Sequence, residues 1–261
     1  CPSCGSEKLI SMGFGTQRLE EELGTFFPSA RILRMDADTT FSRYSYEKNF
    51  ADFRNGEYDI MIGTQMIGKG LDFPNVTLVG VLSVDKALYA GDFRSYERTF
   101  SLITQVVGRG GRGERKGRAV LQTFIPDHYI MNLAAEQDYK GFYREEIAIR
   151  KVMVFPPLCD MCIFCFTADD EVTVKNGADA VIALMNVRLK ELQPKTPVRV
   201  LGPVRCSYGR IGGRYRYRII MKCKNTAEMR GFISRVLTEG AKLKEMAKVT
   251  LYADMNGDVG V

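Results

Sequence analysis

Gln105-Val-Val-Gly108-Arg109-Gly110-Gly111-Arg112 sets two guanidinium groups three residues apart behind a carboxamide, with glycines between them that keep bulk out of the way. A guanidinium is planar, permanently charged and forked, so it matches phosphate oxygens. During phosphoryl transfer the charge spreads over the equatorial oxygens of the γ-phosphate, and an inserted arginine stabilises it there. The same loop could also hold a phosphate without catalysis, and one of the two arginines could pair with a carboxylate elsewhere. A second glycine-rich stretch precedes it, Ile60-Met-Ile-Gly-Thr-Gln-Met-Ile-Gly-Lys-Gly-Leu-Asp72. Gly63 to Lys69 follows the spacing of a phosphate-binding loop, but Gly70 stands where a Ser or Thr hydroxyl would hold Mg²⁺, so that reading fails. Glycines at a strand-to-helix turn instead let backbone approach a nucleic-acid phosphate on one side and a nucleotide on the other. Asp72 can then accept a hydrogen bond from a sugar hydroxyl.

Two further groupings carry chemistry. Cys1-Pro-Ser-Cys4-Gly5 has the spacing of half a zinc knuckle, which needs four ligands. Cys159, Cys162 and Cys165 lie in a β-rich run, Cys-Asp-Met-Cys-Ile-Phe-Cys-Phe, where thiols are expected to pack as small hydrophobes. With seven cysteines and a single histidine, neither a disulfide framework nor a complete internal zinc site is expected. Farther on, Arg214-Tyr-Arg-Tyr-Arg-Ile-Ile-Met-Lys-Cys223 alternates strictly. Tyr215, Tyr217, Ile219, Met221 and Cys223 fall on one face, and Arg214, Arg216, Arg218, Lys222 and Lys224 on the other. Arg205, Tyr208 and Arg210 lie nearby in sequence. Such a strand could track a nucleic-acid backbone with bases stacked on tyrosine, or present a solvated basic face.

The elements that must position these groups alternate in type. Thr16 to Phe27 reads as a helix opening on a capping Thr, with Leu19, Leu23, Phe26 and Phe27 on one face. Short apolar strands follow around 30–36, Tyr58 to Thr64, Asn75 to Asp85 and Gly117 to Phe124, the second and third continuous enough to be covered on both faces. A helix around 46–56 and another over Tyr96 to Val107 lie between them. This β/α alternation predicts a parallel sheet. A single helical stretch over 127–152 stops before Pro156-Pro157. Beyond it the order is strand (Met161 to Thr167), helix (Val172 to Leu192), strand (Val198 to Val204), strand (Tyr215 to Cys223), helix (Ala227 to Leu243), strand (Val249 to Ala253). That β-α-β-β-α-β order predicts a split βαβ, ferredoxin-like α+β domain.

The 261 residues suffice for one large or two modest domains, and 45% apolar with 26% charged residues excludes wholesale disorder. The longest apolar run, Val76 to Val84, is far short of the roughly 20 residues that cross a bilayer. No cleavable leader opens the chain, so a cytoplasmic protein is expected. A first residue that is Cys, not Met, suggests a piece of something longer. Residues 1–158 carry 20 basic and 20 acidic side chains, and residues 159–261 carry 17 and 11. The whole excess of +6 therefore lies in the C-terminal hundred residues, where it suits a polyanion.

The stretch ending at Asp72 resembles motif V of superfamily 2 helicases, and Gln105 to Arg112 resembles their motif VI. Together with GTQRLEEEL, RMDADTT, DKALYAGDFRSYERTFSLITQVVGRGGR, PPL at 156–158 and GRYRYRI at 213–219, the sequence resembles the C-terminal portion of the bacterial primosomal PriA family along nearly its whole length. Val107, Gly110 and Leu158 depart from that family's usual residues. The resemblance implies a RecA-like helicase lobe over 7–150, a remnant of a zinc-binding insertion over 1–6, and a DNA- or partner-binding domain over 151–261. It implies an ATP-dependent 3′-to-5′ DNA helicase of replication restart, cytoplasmic and nucleoid-associated. Expected partners are forked and single-stranded DNA, single-strand-binding protein, and primosome and helicase-loading proteins, with no membrane. It places Gln105, Arg109 and Arg112 at the ATP phosphates, Gly70 and Asp72 at the nucleotide cleft, and Thr64 and Lys69 near DNA, with Arg214, Arg216 and Arg218 as candidate DNA contacts. Cys1 and Cys4 become ligands of Zn²⁺. ATP and Mg²⁺ would be held mainly by a preceding lobe, since the chain has no phosphate-binding loop or acidic Mg²⁺ motif, and alone it should be inactive. The alternative is a non-enzymatic nucleic-acid or protein-binding module with degenerate helicase motifs.

Overall fold

Ile32-Leu-Arg-Met35 and Ile60-Met-Ile-Gly63 form strands β1 and β2, rich in branched residues that suit a pleated surface. They pair in parallel, Ile32 opposite Ile60 through Met35 opposite Gly63. Strands β3 (Leu78–Val81) and β4 (Arg118–Leu121) form a second parallel pair, Leu78 opposite Arg118. Parallel strands need a crossover, and helices supply it: α2 (Arg43–Arg54) between β1 and β2, and α3 (Val84–Leu88) with α4 (Ser95–Val107) between β3 and β4. The computed structural model describes residues 15–36, 43–64, 73, 75–107 and 117–257. They fall into two compact units, one holding the described residues through Leu88 with Tyr96–Phe142, the other holding Tyr89–Ser95 and the residues from Tyr143 onward.

The first unit is α/β with its strands in parallel pairs. One cluster joins Leu33 and Met35 of β1 to Phe50 of α2. Another packs Val84 and Leu88 against Phe100 and Ile103 of α4 and against Ile130, Met131 and Ala134 of α5 (Tyr129–Ala135). Several boundaries differ from the sequence reading, each for a local reason. Thr16 opens helix α1 (Thr16–Phe26) without capping it, because Gly15 is the cap residue and the Thr16 hydroxyl instead donates to Asp36 at 2.5 Å. The third strand stops at Val81, because Ser83 takes φ +55° and turns the chain into α3. The single helix expected over 127–152 is two, α5 and α6 (Tyr139–Met153), divided where Gln137 takes φ +56° and Asp138 Oδ1 accepts from Gly141 N at 2.9 Å.

The second unit is built on β5 (Asp160–Ala168), a strand with Met161 through Phe166 and Ala168 all buried. Its sheet runs β6 (Arg199–Ile211), β7 (Arg214–Cys223), β5, β8 (Thr250–Met255), every neighbouring pair antiparallel. Helix α7 (Glu171–Leu192) joins β5 to β6 and α8 (Ala227–Gly240) joins β7 to β8. The order β-α-β-β-α-β is therefore observed. One face of the sheet carries Cys162, Phe164, Phe166, Ile219, Met221 and Cys223, packed against Val174, Ala178, Val181 and Met185 of α7 and Met229, Phe232, Ile233 and Val236 of α8. Side-chain caps start both helices: Asp170 accepts from Thr173 N at 2.8 Å, and Thr226 from Met229 N at 3.2 Å. Helix α8 ends at Gly240, and a 3-10 turn (Lys244–Met246) takes up the rest of the span expected to be helical. Strand β6 runs well past the expected Val204, because two irregularities, between Leu201 and Val204 and between Arg205 and Arg210, let it bend and keep pairing with β7. Among the described residues no helix is long and apolar enough to cross a membrane.

Two tests follow from the packing. A Cβ at Gly177 of α7 would stand 2.9 Å from Met246 Sδ and 3.0 Å from Val249 Cγ2, so Gly177→Ala is expected to destabilise the second unit by about 1–3 kcal/mol in denaturant unfolding. His128 caps α5 by accepting from Ile130 N through Nδ1 at 3.3 Å, which only the neutral ring can do. Burial holds its pKa below the ordinary 6.5. The cap is thus intact above the ordinary value and is lost as pH falls through the lowered one. Thermal midpoints should fall on acidification below about pH 6, and less steeply in His128→Asn, which keeps a capping acceptor that does not titrate.

Candidate nucleotide and nucleic-acid interface

Each glycine-rich stretch in the first unit starts from a packed element. Thr64 follows directly on β2 and is exposed, one residue beyond Gly63, which is held opposite Met35 by the parallel ladder. Lys69, Gly70 and Asp72 lie outside the described residues. Phe73, at the far end of the stretch, is anchored: its ring centroid lies 5.1 Å from Phe53 and 5.8 Å from Phe50, both on α2. Gln105 sits in the last turn of α4. Phe100, Ile103 and Val106 turn into the core, and the amphipathic period leaves Gln105 exposed. Arg109 and Arg112, just beyond the end of α4, are outside the described residues, as are Cys1 and Cys4. The start of the crossover is braced by Asp85 of α3, which accepts from Thr123 Oγ1 at 2.8 Å and from Phe124 N at 3.2 Å.

In the second unit the alternation of β7 holds as read. Tyr215, Tyr217, Ile219, Met221 and Cys223 face the two helices, while Arg216, Arg218 and Lys222 face the other way. That other face is covered along part of its length. Met161, Ile163 and Cys165 of β5 pack there with Ile220, Phe155 and Phe93, and the Phe93 ring is stacked on Phe155 at 5.6 Å. Lys222 is consequently buried, its Nζ donating to Met153 O at 2.6 Å and lying 4.0 Å from the centre of the Phe155 ring. Burial pushes its pKa below the usual lysine range.

The three candidate DNA-contacting arginines have three different surroundings. Arg214 is exposed, donates through Nη2 to Thr167 O at 3.2 Å and Thr250 Oγ1 at 3.3 Å, and pairs with Asp169 at 3.5 Å. Arg216 is buried, 8% exposed. Arg218 stands in register between Cys165 and Val204, with Nε and Nη1 buried and without a hydrogen-bond acceptor. A dehydrated guanidinium nitrogen without an acceptor is costly, so Arg218 has unused donor capacity. The thiols around it are not reactive centres: burial raises the pKa of Cys165 and Cys206 despite the two arginines, and pushes Cys162 up to about 12. They pack as small hydrophobes, as the β-rich run suggested, and among the described residues no group of His, Cys, Asp and Glu could hold a metal.

Beside Arg214, the exposed cations near the hairpin are on β6, where Arg205 and Arg210 are on the surface with Tyr208. The sequence named them as neighbours of the arginine strand. The carboxylates that pair with Arg205 and Arg214, Glu171 at the start of α7 and Asp169 just before it, carried no sequence signal, because each pairing spans more than 30 residues.

Residues 7–114 match the family of the helicase conserved C-terminal domain, and residues 151–257 match that of the primosomal protein N C-terminal domain. Curated relatives match this chain almost from end to end. The replication restart protein PriA of Bacillus subtilis is 40% identical over 98% of this chain, that of Synechocystis 35% over 99%, and that of Haemophilus influenzae 33% over 98%. The chain covers 31%, 30% and 34% of these three proteins, about a third of their length.

Replacing Arg218 by an isosteric apolar residue tests whether its buried nitrogens stand idle. Arg218→Met is expected to raise the thermal midpoint by about 2–4 °C, the equivalent of about 1 kcal/mol. A lowered midpoint would show that the guanidinium is already satisfied in the free protein.

Proposed function

Because the chain belongs to the PriA family of replication restart proteins and corresponds to its C-terminal portion, we propose that it supplies the second, RecA-like motor lobe and a ferredoxin-like DNA-binding domain to an ATP-dependent 3′-to-5′ DNA helicase. The longer protein would act on forked and single-stranded DNA, together with single-strand-binding protein and helicase-loading partners of the primosome, in the bacterial cytoplasm. The observation that carries the reading is the Gln105 to Arg112 loop: it leaves a packed helix whose last turn already points Gln105 outward, and it lies inside the segment that matches helicases.

In this reading Arg109 or Arg112 neutralises charge on the γ-phosphate oxygens, and Gln105 hydrogen-bonds at the same site. Gly70 lets backbone approach the nucleotide, and Asp72 accepts from its sugar hydroxyl. Thr64 and Lys69 hold a DNA phosphate, as do the exposed arginines Arg205 and Arg210 of β6 and Arg214 of β7. Mg²⁺ would supply further charge neutralisation at the phosphates, and its ligands would come from a preceding lobe of the longer protein. Cys1 and Cys4 contribute two thiolates to a structural Zn²⁺. The competing reading, a binding module without catalysis, is favoured by one observation: no complete phosphate-binding loop occurs in the 261 residues.

The test uses the longer polypeptide that carries the preceding segment. Arg109→Ala should lower DNA-stimulated ATP hydrolysis by about 10³-fold while DNA affinity stays within about threefold. An unchanged hydrolysis rate would remove the arginine from catalysis, and loss of DNA binding as well would make its role structural.

A further inference from the structure

The β6–β7 hairpin presents cations on a rigid frame. Ile211 and Arg214 are paired across Gly212-Gly213, whose φ angles of +57° and +82° close a two-residue turn. Arg210 lies over the Tyr215 ring at 4.9 Å and donates through Nε to Gly213 O at 3.1 Å. Arg205 runs across Gly209, where a Cβ would stand 2.4 Å from its Nε. Tyr208, between them in sequence, is 63% exposed. Held this way, the side chains lose little freedom when a ligand binds.

Two of these cations are engaged by carboxylates from one turn. Arg205 Nε lies 3.3 Å from Glu171 Oε1, and Arg214 Nε lies 3.5 Å from Asp169 Oδ1. Both acids belong to Asp169-Asp170-Glu171, which joins β5 to α7. Asp170 is committed elsewhere, accepting from Thr173 N and Oγ1 at 2.8 Å each. Glu171 also accepts from the Tyr217 hydroxyl at 3.3 Å. The side chains of the two pairs are 54% and 38%, and 45% and 94% exposed, so both pairs open readily to solvent and to a competing anion.

We propose that Asp169 and Glu171 are an on-chain competitor that occupies Arg205 and Arg214 until a single-stranded nucleic-acid backbone displaces them. The inference rests on the reading of the second unit as a DNA-binding domain and adds its regulation. A carboxylate and a phosphodiester seek the same face of a guanidinium. An extended strand delivers several phosphates at once and can displace both acids, whereas a mononucleotide offers one anionic group against two carboxylates. The neighbouring negative charges also lie within a Debye length of the arginines and repel an approaching strand. The acidic turn thus raises the charge density a ligand needs in order to stay.

The test measures fluorescence anisotropy of a fluorescein-labelled oligo(dT) 20-mer with the full chain across a salt series. Asp169→Asn/Glu171→Gln is expected to bind about 5- to 10-fold tighter at low salt. Its slope of log affinity against log salt should be steeper by about one, since salt no longer weakens an internal competitor along with the phosphate contacts. A charge-matched control, Glu191→Gln/Glu228→Gln, alters the far end of α7 and the first turn of α8, which follows the end of β7 away from the hairpin, each about 30 Å away by element length. It should stay within about twofold of the parent chain. Asp169→Asn alone changes a carboxylate that is 94% exposed, and should give about 2- to 3-fold even if the double variant misfolds. If the acidic-turn variants bind no tighter than the control, the competitor is overturned. If instead Arg205→Ala/Arg214→Ala binds as tightly as the parent chain, the hairpin is not a nucleic-acid surface and the DNA-binding reading of this domain fails, whatever the acidic-turn variants do.

Discussion

Strand β5 is dry on both faces, and the second unit is arranged around that fact. Phe164 and Phe166 on one side require helices α7 and α8 as cover. Met161, Ile163 and Cys165 on the other side require Phe155 and Phe93. A strand buried twice fixes its neighbours' register tightly, since a slip of one residue would turn every core side chain to the wrong face. The register in turn sets the positions of the arginines: Arg218 must stand beside Cys165, and Arg216 beside Thr167. Basic side chains are held where the sheet is dehydrated at one end and open at the hairpin.

That gradient sorts the cations by what they can do. Lys222, at the covered end, is neutralised in effect by a carbonyl and an aromatic ring. Arg218, in the middle, keeps two buried donors without acceptors. At the open end Arg205, Arg210 and Arg214 meet solvent, and carboxylates already engage two of them. On the proposed competitor, affinity for a polyanion on this face would depend on the acids near the hairpin as well as on the number of arginines. In the first unit the arrangement is simpler: each glycine-rich stretch begins where a packed strand or helix, β2 or α4, ends.

Much of this was legible in the sequence, because it depends on short-range periodicity. The two faces of β7, the helical run ending at Val107 and the β-α-β-β-α-β order all follow from spacings of two or three to four residues. What was not legible depends on contacts far apart in the chain or on single dihedral angles. Gln137 and Ser83 adopt positive φ where their residue types give no notice, dividing one expected helix and shortening one expected strand. Strand β6 is longer than its apolar core suggests because irregular pairing lets it continue across Gly202-Pro203. Tyr89–Ser95, read from sequence with the first unit's elements, groups with the second, where Phe93 packs on Phe155. Alternation placed Arg216 and Lys222 on a face, but could not tell whether that face was wet.

If the proposed function holds, the chain bears the arginines of a motor whose nucleotide site needs a second lobe, and by itself it should be unable to turn over nucleotide. Steady-state ATP hydrolysis with saturating single-stranded DNA decides this, comparing the 261-residue chain with a polypeptide that includes the segment preceding it in its relatives. No hydrolysis above background is expected for the first, and DNA-stimulated turnover for the second. Equal turnover by both would place a complete nucleotide site within these residues, and DNA binding without turnover by either would make the chain part of a binding module.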